Sequence, residues 1–252
     1  MTNKNTDAQK KKTLGTVITI VVITIALILF AFFMMNMFDV RISDLENNAA
    51  YHDLAVKNFE KSKASPDTIK EMFAGLQKAN HGAVAWIDIP GTDVSYPVVQ
   101  GDDNEYYQTH NYFGKENRGG AIFLSTEASP AFTDANTVIF GQAMNDGSMF
   151  SELKEYQDKA FFDTHNNIIV YLPDGSTKTY TVFAAYIASD EDTSFTNSFE
   201  NEEEFNKYVA AMQALSQNST DTLPNGNSII TLSTCEKGAD TAKYVVQAVL
   251  QQ

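Results

Sequence analysis

The chain of 252 residues contains one cysteine and only four histidines. A single cysteine excludes a disulfide framework and a Cys-rich zinc site. Basic residues are also scarce: Lys and Arg total 18 against 32 Asp and Glu, for a formal charge of −14. A general nucleic-acid binder would show a basic face, and this balance argues against one. Apolar residues are plentiful. They make up 43% of the chain, with 17 Phe and 11 Tyr, which excludes a disordered polymer.

Charge is also missing locally. Nothing from Thr13 to Phe38 is charged, a run of 26 residues, and about 20 suffice to cross a bilayer. No small-residue cleavage site follows, so the run reads as an uncleaved anchor rather than a signal peptide. Lys4, Lys10, Lys11 and Lys12 precede it with only Asp7 against them; Asp39, Asp44 and Glu46 follow with Arg41. The positive-inside rule then predicts a cytoplasmic N-terminus and an external C-terminal bulk. Outside the cell most cysteines pair, and Cys235 has no partner in its own chain. The count leaves two readings: a buried small hydrophobe or a reactive thiol.

Beyond the span, Asp39 to Lys63 is polar and reads as a juxtamembrane helix or stalk. Ser65-Pro66 predicts a helix start, and Ile69, Met72, Phe73 and Leu76 form one apolar stripe. Asn80-His81-Gly82 ends it. Eight strand-like runs follow: Ala83–Ile89, Val94–Val99, Gly120–Leu124, Thr137–Gly141, Ile168–Leu172, Lys178–Ile187, Ser228–Thr234 and Lys243–Leu250. Pro90-Gly91 and Pro173-Asp174-Gly175 are the clearest turns between them. Pro97 marks its strand as an edge or a bulge. So many short strands in one domain predict a mainly β fold, a closed or nearly closed barrel. Helices are expected at Met149–Tyr156 and Glu202–Leu215. The acidic residues Asp190–Asp192, Glu200 and Glu202–Glu204 read as a solvated loop and an acidic first helical turn; they lack the spacing of a calcium loop.

Ser228 to Thr234 is a buried strand that ends in Cys235. An ordinary thiol has a pKa of about 8.5, so a nucleophilic cysteine needs a histidine or another cation beside it, and donors for an oxyanion. Here the chain resembles a family. Thr231-Leu232-Ser233-Thr234-Cys235 is similar to the signature of sortases, the membrane-anchored cysteine transpeptidases of Gram-positive bacteria. The likeness is greatest to class B. Trp86-Ile87-Asp88-Ile89-Pro90-Gly91-Thr92, Tyr96-Pro97-Val98-Val99-Gln100, Asn111-Tyr112-Phe113-Gly114, Gly120 to Leu124 and Asp146-Gly147-Ser148-Met149-Phe150 all fit it, and the helix at Glu202–Leu215 stands where class B carries an extra one.

The resemblance implies a sortase-like closed β-barrel of about eight strands with peripheral helices, after one N-terminal transmembrane helix. The divisions are a cytoplasmic tail at 1–12, the span at 13–38, the stalk at 39–64 and the sortase-like domain at 65–252. The implied reaction attacks a backbone amide in a sorting-signal peptide of a surface protein. A thioacyl enzyme then passes the acyl group to a cell-wall precursor or pilin amine. No cofactor, metal or nucleic acid is implied. The family's site uses Cys, His and Arg. This chain has Cys235, but Gln142 stands in the His place within Thr137-Val138-Ile139-Phe140-Gly141-Gln142-Ala143-Met144, and Lys243 replaces Arg eight residues after Cys235. Asn111, Ser233 and Thr234 are the implied substrate-binding residues.

Gln carries no titratable proton near neutral pH, and Lys lacks the planar fork of Arg. Of the histidines, His52 lies in the stalk, His81 at a helix end and His165 before a strand. His110 is the best stand-in, although alternation turns it away from the side Asn111 faces. Two functions stay open: a transpeptidase with an altered site, or a degenerate sortase that binds sorting signals or a partner sortase without turnover.

Overall fold

The computed structural model describes residues 3–58, 65–188, 194–220, 228–234 and 243–251. It divides into two compact units, Met1–Glu46 and Asn47–Gln252.

Helix α1 (Asn3–Asn58) opens the chain. Within the first unit its residues from Leu14 to Phe38 are uncharged and exposed, Phe32 and Met35 by 65%. Thr19 and Thr24 donate their hydroxyls to the carbonyls of Gly15 and Ile20, both at 2.9 Å. These polar groups are thus satisfied inside the helix, as a hydrocarbon environment demands. Among the described residues, this is the one helix long and apolar enough to cross a membrane.

The second unit starts on the last turns of α1, where Tyr51 is buried. Helix α2 (Pro66–Ala79) begins as its sequence dictates: Ser65 Oγ accepts the Thr68 amide at 3.2 Å, and proline takes the first turn. Ile69, Met72, Phe73 and Leu76 are buried together against the barrel core.

The strands are β1 (Ala83–Asp88), β2 (Ser95–Val99), β3 (Ile122–Leu124), β4 (Asn136–Gly141), β5 (Asn167–Tyr171), β6 (Thr177–Ala188), β7 (Asn218–Ser219), β8 (Ile229–Thr234) and β9 (Lys243–Leu250). Their order is β5-β1-β2-β3-β4-β8-β9-β6-β7, and β5 also pairs with β6. That extra pairing closes eight strands into a barrel and leaves β7 as an appendage on β6. Closure removes the sheet edges that would otherwise invite association. Two neighbouring pairs are parallel, β2 with β3 and β4 with β8. Side chains such as Ile87, Val98, Ile122, Ile139, Val170, Tyr180 and Leu232 fill the interior.

A second cluster lies where α5 (Glu202–Leu215) packs Phe205, Tyr208, Val209 and Met212 against Phe183, Tyr186, Ile229 and Val245. Glu202, Glu203 and Glu204 form its first turn. Asn201 Oδ1 accepts the Glu204 amide, and the Glu204 carboxylate accepts the Glu200 amide. Asn201 is thus the N-cap, and Glu204 holds the residue before it. Asp190–Asp192 lie outside the described residues.

All eight anticipated strands are present. The remaining differences are local. Pro97 lies in a strand with neighbours on both sides, not at a sheet edge. It pairs with Trp86 of β1, and the ladder to β3 begins only at Val98, so its missing N–H falls where that side is unpaired. The helix expected at Met149–Tyr156 is a 3-10 helix at Ser151–Gln157, because Met149 has φ 60 and cannot start a helix. Short helices α3 (Tyr106–Thr109) and α4 (Lys159–Thr164) are too brief to leave a periodic signal.

Candidate active site

The parallel pair β4 and β8 runs in register from Asn136↔Ile229 to Gly141↔Thr234. In sequence, the next residues are Gln142 on one chain segment and Cys235 on the other. Cys235 lies outside the described residues. The approach to this end of the barrel is crowded. A Cβ on Gly141 would collide with Ile122 Cδ1 and come within 2.8 Å of Phe150 Cδ2, so any larger residue forces these side chains to shift.

Gln142 is 2% exposed. Its Nε2 donates to the Gln108 carbonyl at 3.1 Å, and its own carbonyl accepts the Phe150 amide at 2.9 Å. The side chain is therefore held from α3 on one side, while its backbone is held by the following turn on the other. Two residues earlier, Phe140 is half-buried between Phe123 and Phe195, with ring centroids at 5.4 and 5.7 Å.

Thr234 and Ser233 are both buried. Thr234 Oγ1 accepts the Tyr244 amide at 2.9 Å and ties the end of β8 to the start of β9; Ser233 Oγ donates to the Thr234 carbonyl at 3.3 Å. Lys243 is half-buried, opens β9, and pairs in register with Ala188 of β6. Asn111 is also buried. Its Oδ1 accepts the Phe113 and Lys115 amides at 3.0 Å, and its Nδ2 donates to Asn47 Oδ1 at 2.9 Å. All three of these polar side chains thus engage the protein's own framework.

The histidines stand apart. His110 is half-buried and stacks on Tyr106 at 4.0 Å, while its neighbour Asn111 turns inward, as alternation requires. His165 stacks on Phe161 at 4.1 Å. Among the described residues, no histidine shares a hydrogen bond or ring contact with Gln142.

Behind the site a buried polar network fastens the segment before α5. Asn136 Nδ2 donates to the carbonyls of Ser194 and Thr196, and Asn136 Oδ1 accepts from Thr231. Gln247 Nε2 donates to Tyr208 and Thr231, and Tyr208 donates to the Ser194 carbonyl. This segment carries Phe195 to Phe140. Sequence reading missed Gln108, Phe195 and this network. A backbone carbonyl acceptor leaves no residue signal, and the network's members are far apart in the chain.

On the turn after Gln142, burial alone would raise the Asp146 carboxyl. Hydrogen bonds from the Ser148 hydroxyl and amide and from the Asn48 side chain outweigh that and hold it below the usual carboxylate range.

A closed eight-stranded barrel whose parallel strands β4 and β8 end together, with a glutamine and a cysteine next in sequence, is the architecture of a class of transpeptidase. The sortase domain family matches residues 87–251. Over 248 residues, 95% of this chain and 98% of the relative, it is 30% identical to sortase B of Listeria monocytogenes. Over 236 residues, 93% of each, it is 27% identical to sortase B of Staphylococcus aureus. A solved S. aureus sortase B–substrate complex superposes with a TM-score of 0.74 at 26% identity, covering 84% of this chain and 99% of that one. The chain belongs to the sortase family, in class B. Sortase transpeptidation is the function these matches support; nothing in them favours the binding-only alternative.

Proposed function

We propose that this chain is a class B transpeptidase whose nucleophile is Cys235, with Gln142 and Lys243 in the family's His and Arg places. The observation that carries the reading is the register of β4 and β8. Gly141 and Thr234 are the last pair, and Gln142 and Cys235 come next in sequence. The Cys235 thiolate attacks the carbonyl carbon of one peptide bond in a sorting-signal peptide. The C–N bond breaks, the amine leaves with a proton, and a thioester remains. A second amine, from a cell-wall precursor or a pilin, attacks the thioester and releases the thiolate.

Gln142 changes the proton chemistry. It neither removes the thiol proton nor returns one to the leaving amine, since its amide does not titrate near neutrality. Solvent then serves as acid and base, and the reacting species is the thiolate. Lys243 supplies the cation. Asn111, Ser233 and Thr234 act by shaping the groove, in keeping with their internal hydrogen bonds.

In this reading the span at 13–38 anchors the protein, residues 1–12 stay in the cytoplasm, 39–64 form the stalk, and 65–252 act outside the cell. The exposed uncharged surface of α1 and the flanking lysines support that orientation.

The test is intact-mass analysis of the full chain in detergent after incubation with a library of sorting-signal peptides. An acyl adduct that disappears in Cys235→Ala supports the transpeptidase. Peptide binding with no adduct, in wild type and in the Gln142→His, Lys243→Arg double variant alike, refutes it.

A further inference from the structure

The juxtamembrane end of α1 touches the site from two directions. Asn47 and Tyr51 lie one turn apart on the same helix face. The buried Tyr51 hydroxyl donates to the Gly120 carbonyl at 3.3 Å and accepts the Tyr112 amide at 2.9 Å. Gly120 is in the left-handed region at φ +57. It lies so close to α3 that a Cβ would strike the Tyr107 carbonyl and come within 2.8 Å of the Gln108 carbonyl. That Gln108 oxygen is the acceptor for Gln142 Nε2 at 3.1 Å. Asn47 steadies the same loop through Asn111 at 2.9 Å.

The second direction reaches the turn after Gln142. The Tyr51 ring meets Tyr96 edge-on, with centroids 5.5 Å apart. Tyr96 Oη accepts the Met149 amide at 2.9 Å, and Met149 bridges back to Ala143, next to Gln142. Asn48 donates to Asp146 in the same turn at 2.9 Å. One helical turn thus braces both the side-chain acceptor and the backbone of Gln142.

We propose that Tyr51 is a positioning residue that sets the Gln142 amide from the juxtamembrane helix. The inference rests on Gln142 belonging to the site. It acts through Gly120, Gln108 and Tyr96. The stalk is therefore part of the site's framework as well as a spacer.

The experiment follows the side-chain amide of Gln142 by NMR in the full chain in detergent, with glutamine labelled with nitrogen-15. Loss of one signal pair in Gln142→Glu assigns it. Tyr51→Phe keeps the ring and removes the hydroxyl, and it is expected to shift or broaden that pair. Tyr180→Phe, which removes a buried hydroxyl that has no hydrogen-bond partner among the described residues, is expected to leave it in place. An unmoved pair in Tyr51→Phe overturns the proposal. Should that variant fail to fold, Asn47→Ala tests the same loop through Asn111, with the same expected and contrary results. Iodoacetamide labelling of the single cysteine is read in parallel. If its rate is unchanged in Gln142→Glu, the assignment of Gln142 to the cysteine's site fails, while the amide signal still decides whether Tyr51 positions Gln142.

Discussion

Gln142 donates its side-chain amide to the Gln108 carbonyl at 3.1 Å. A neutral amide in a buried position, fixed by a backbone acceptor, holds geometry and moves no protons. In the proposed site this contact stands where a titrating ring would be.

Gln142→His together with Lys243→Arg restores a general acid–base and a planar cation. Acyl-adduct formation should rise by about 10²–10⁴-fold, the usual range for general acid–base catalysis. The pH profile should change as well. Wild type should climb steadily with pH, and the double variant should show a bell. Quench-flow mass spectrometry between pH 6 and 10 checks both.

Gly141→Ala places a methyl group where Ile122 and Phe150 already sit. Overpacking of this kind costs about 1–3 kcal/mol. The expected result is a lower thermal midpoint and slower adduct formation, read by calorimetry and intact mass.

Asn136→Ala removes the donor to the Ser194 and Thr196 carbonyls and the acceptor for Thr231. Each buried group left unsatisfied costs about 1–3 kcal/mol. Urea unfolding should show a lower midpoint. Loss of Phe195 from its place on Phe140 should appear as faster hydrogen exchange in the segment before α5.

The acid limb of stability is fixed in sign. Asp146, Asp103 and Asp174 all have carboxyl pKa values depressed in the folded chain. For Asp146 the hydrogen bonds given above outweigh burial, for Asp103 the donors are the Tyr106 and Glu105 amides, and for Asp174 they are the Ser176 hydroxyl and amide. Their contribution is complete above the unfolded carboxylate value, about 3.9, and is lost as pH falls through the lower folded values. Thermal midpoints should drop across that window, and Asp146→Asn should flatten part of the drop.

The barrel was legible because each strand carries its own pattern: Ile229 to Thr234 reads as buried, Ser65-Pro66 as a helix start, and Pro173 to Gly175 as a turn. Closure was less direct. It depends on β5 pairing with β6, a tertiary choice that no single strand encodes. Near the site, the strand from Ile229 to Thr234 and the strand before Gln142 were readable. The contacts of Tyr51 were not. A stalk tyrosine looks like any exposed aromatic until the loop it holds has folded beneath it.

A distance measurement tests the site most directly. Gln142→Cys gives a chain with two thiols at the residues following the last pair of β4 and β8. Neighbouring strands run about 4.8 Å apart, within the range a disulfide bridges. Mild oxidation should therefore join the two thiols, with a mass loss of two hydrogens and no free thiol. Two free thiols that persist under oxidation, in a chain that stays folded, would contradict a site built at these strand ends.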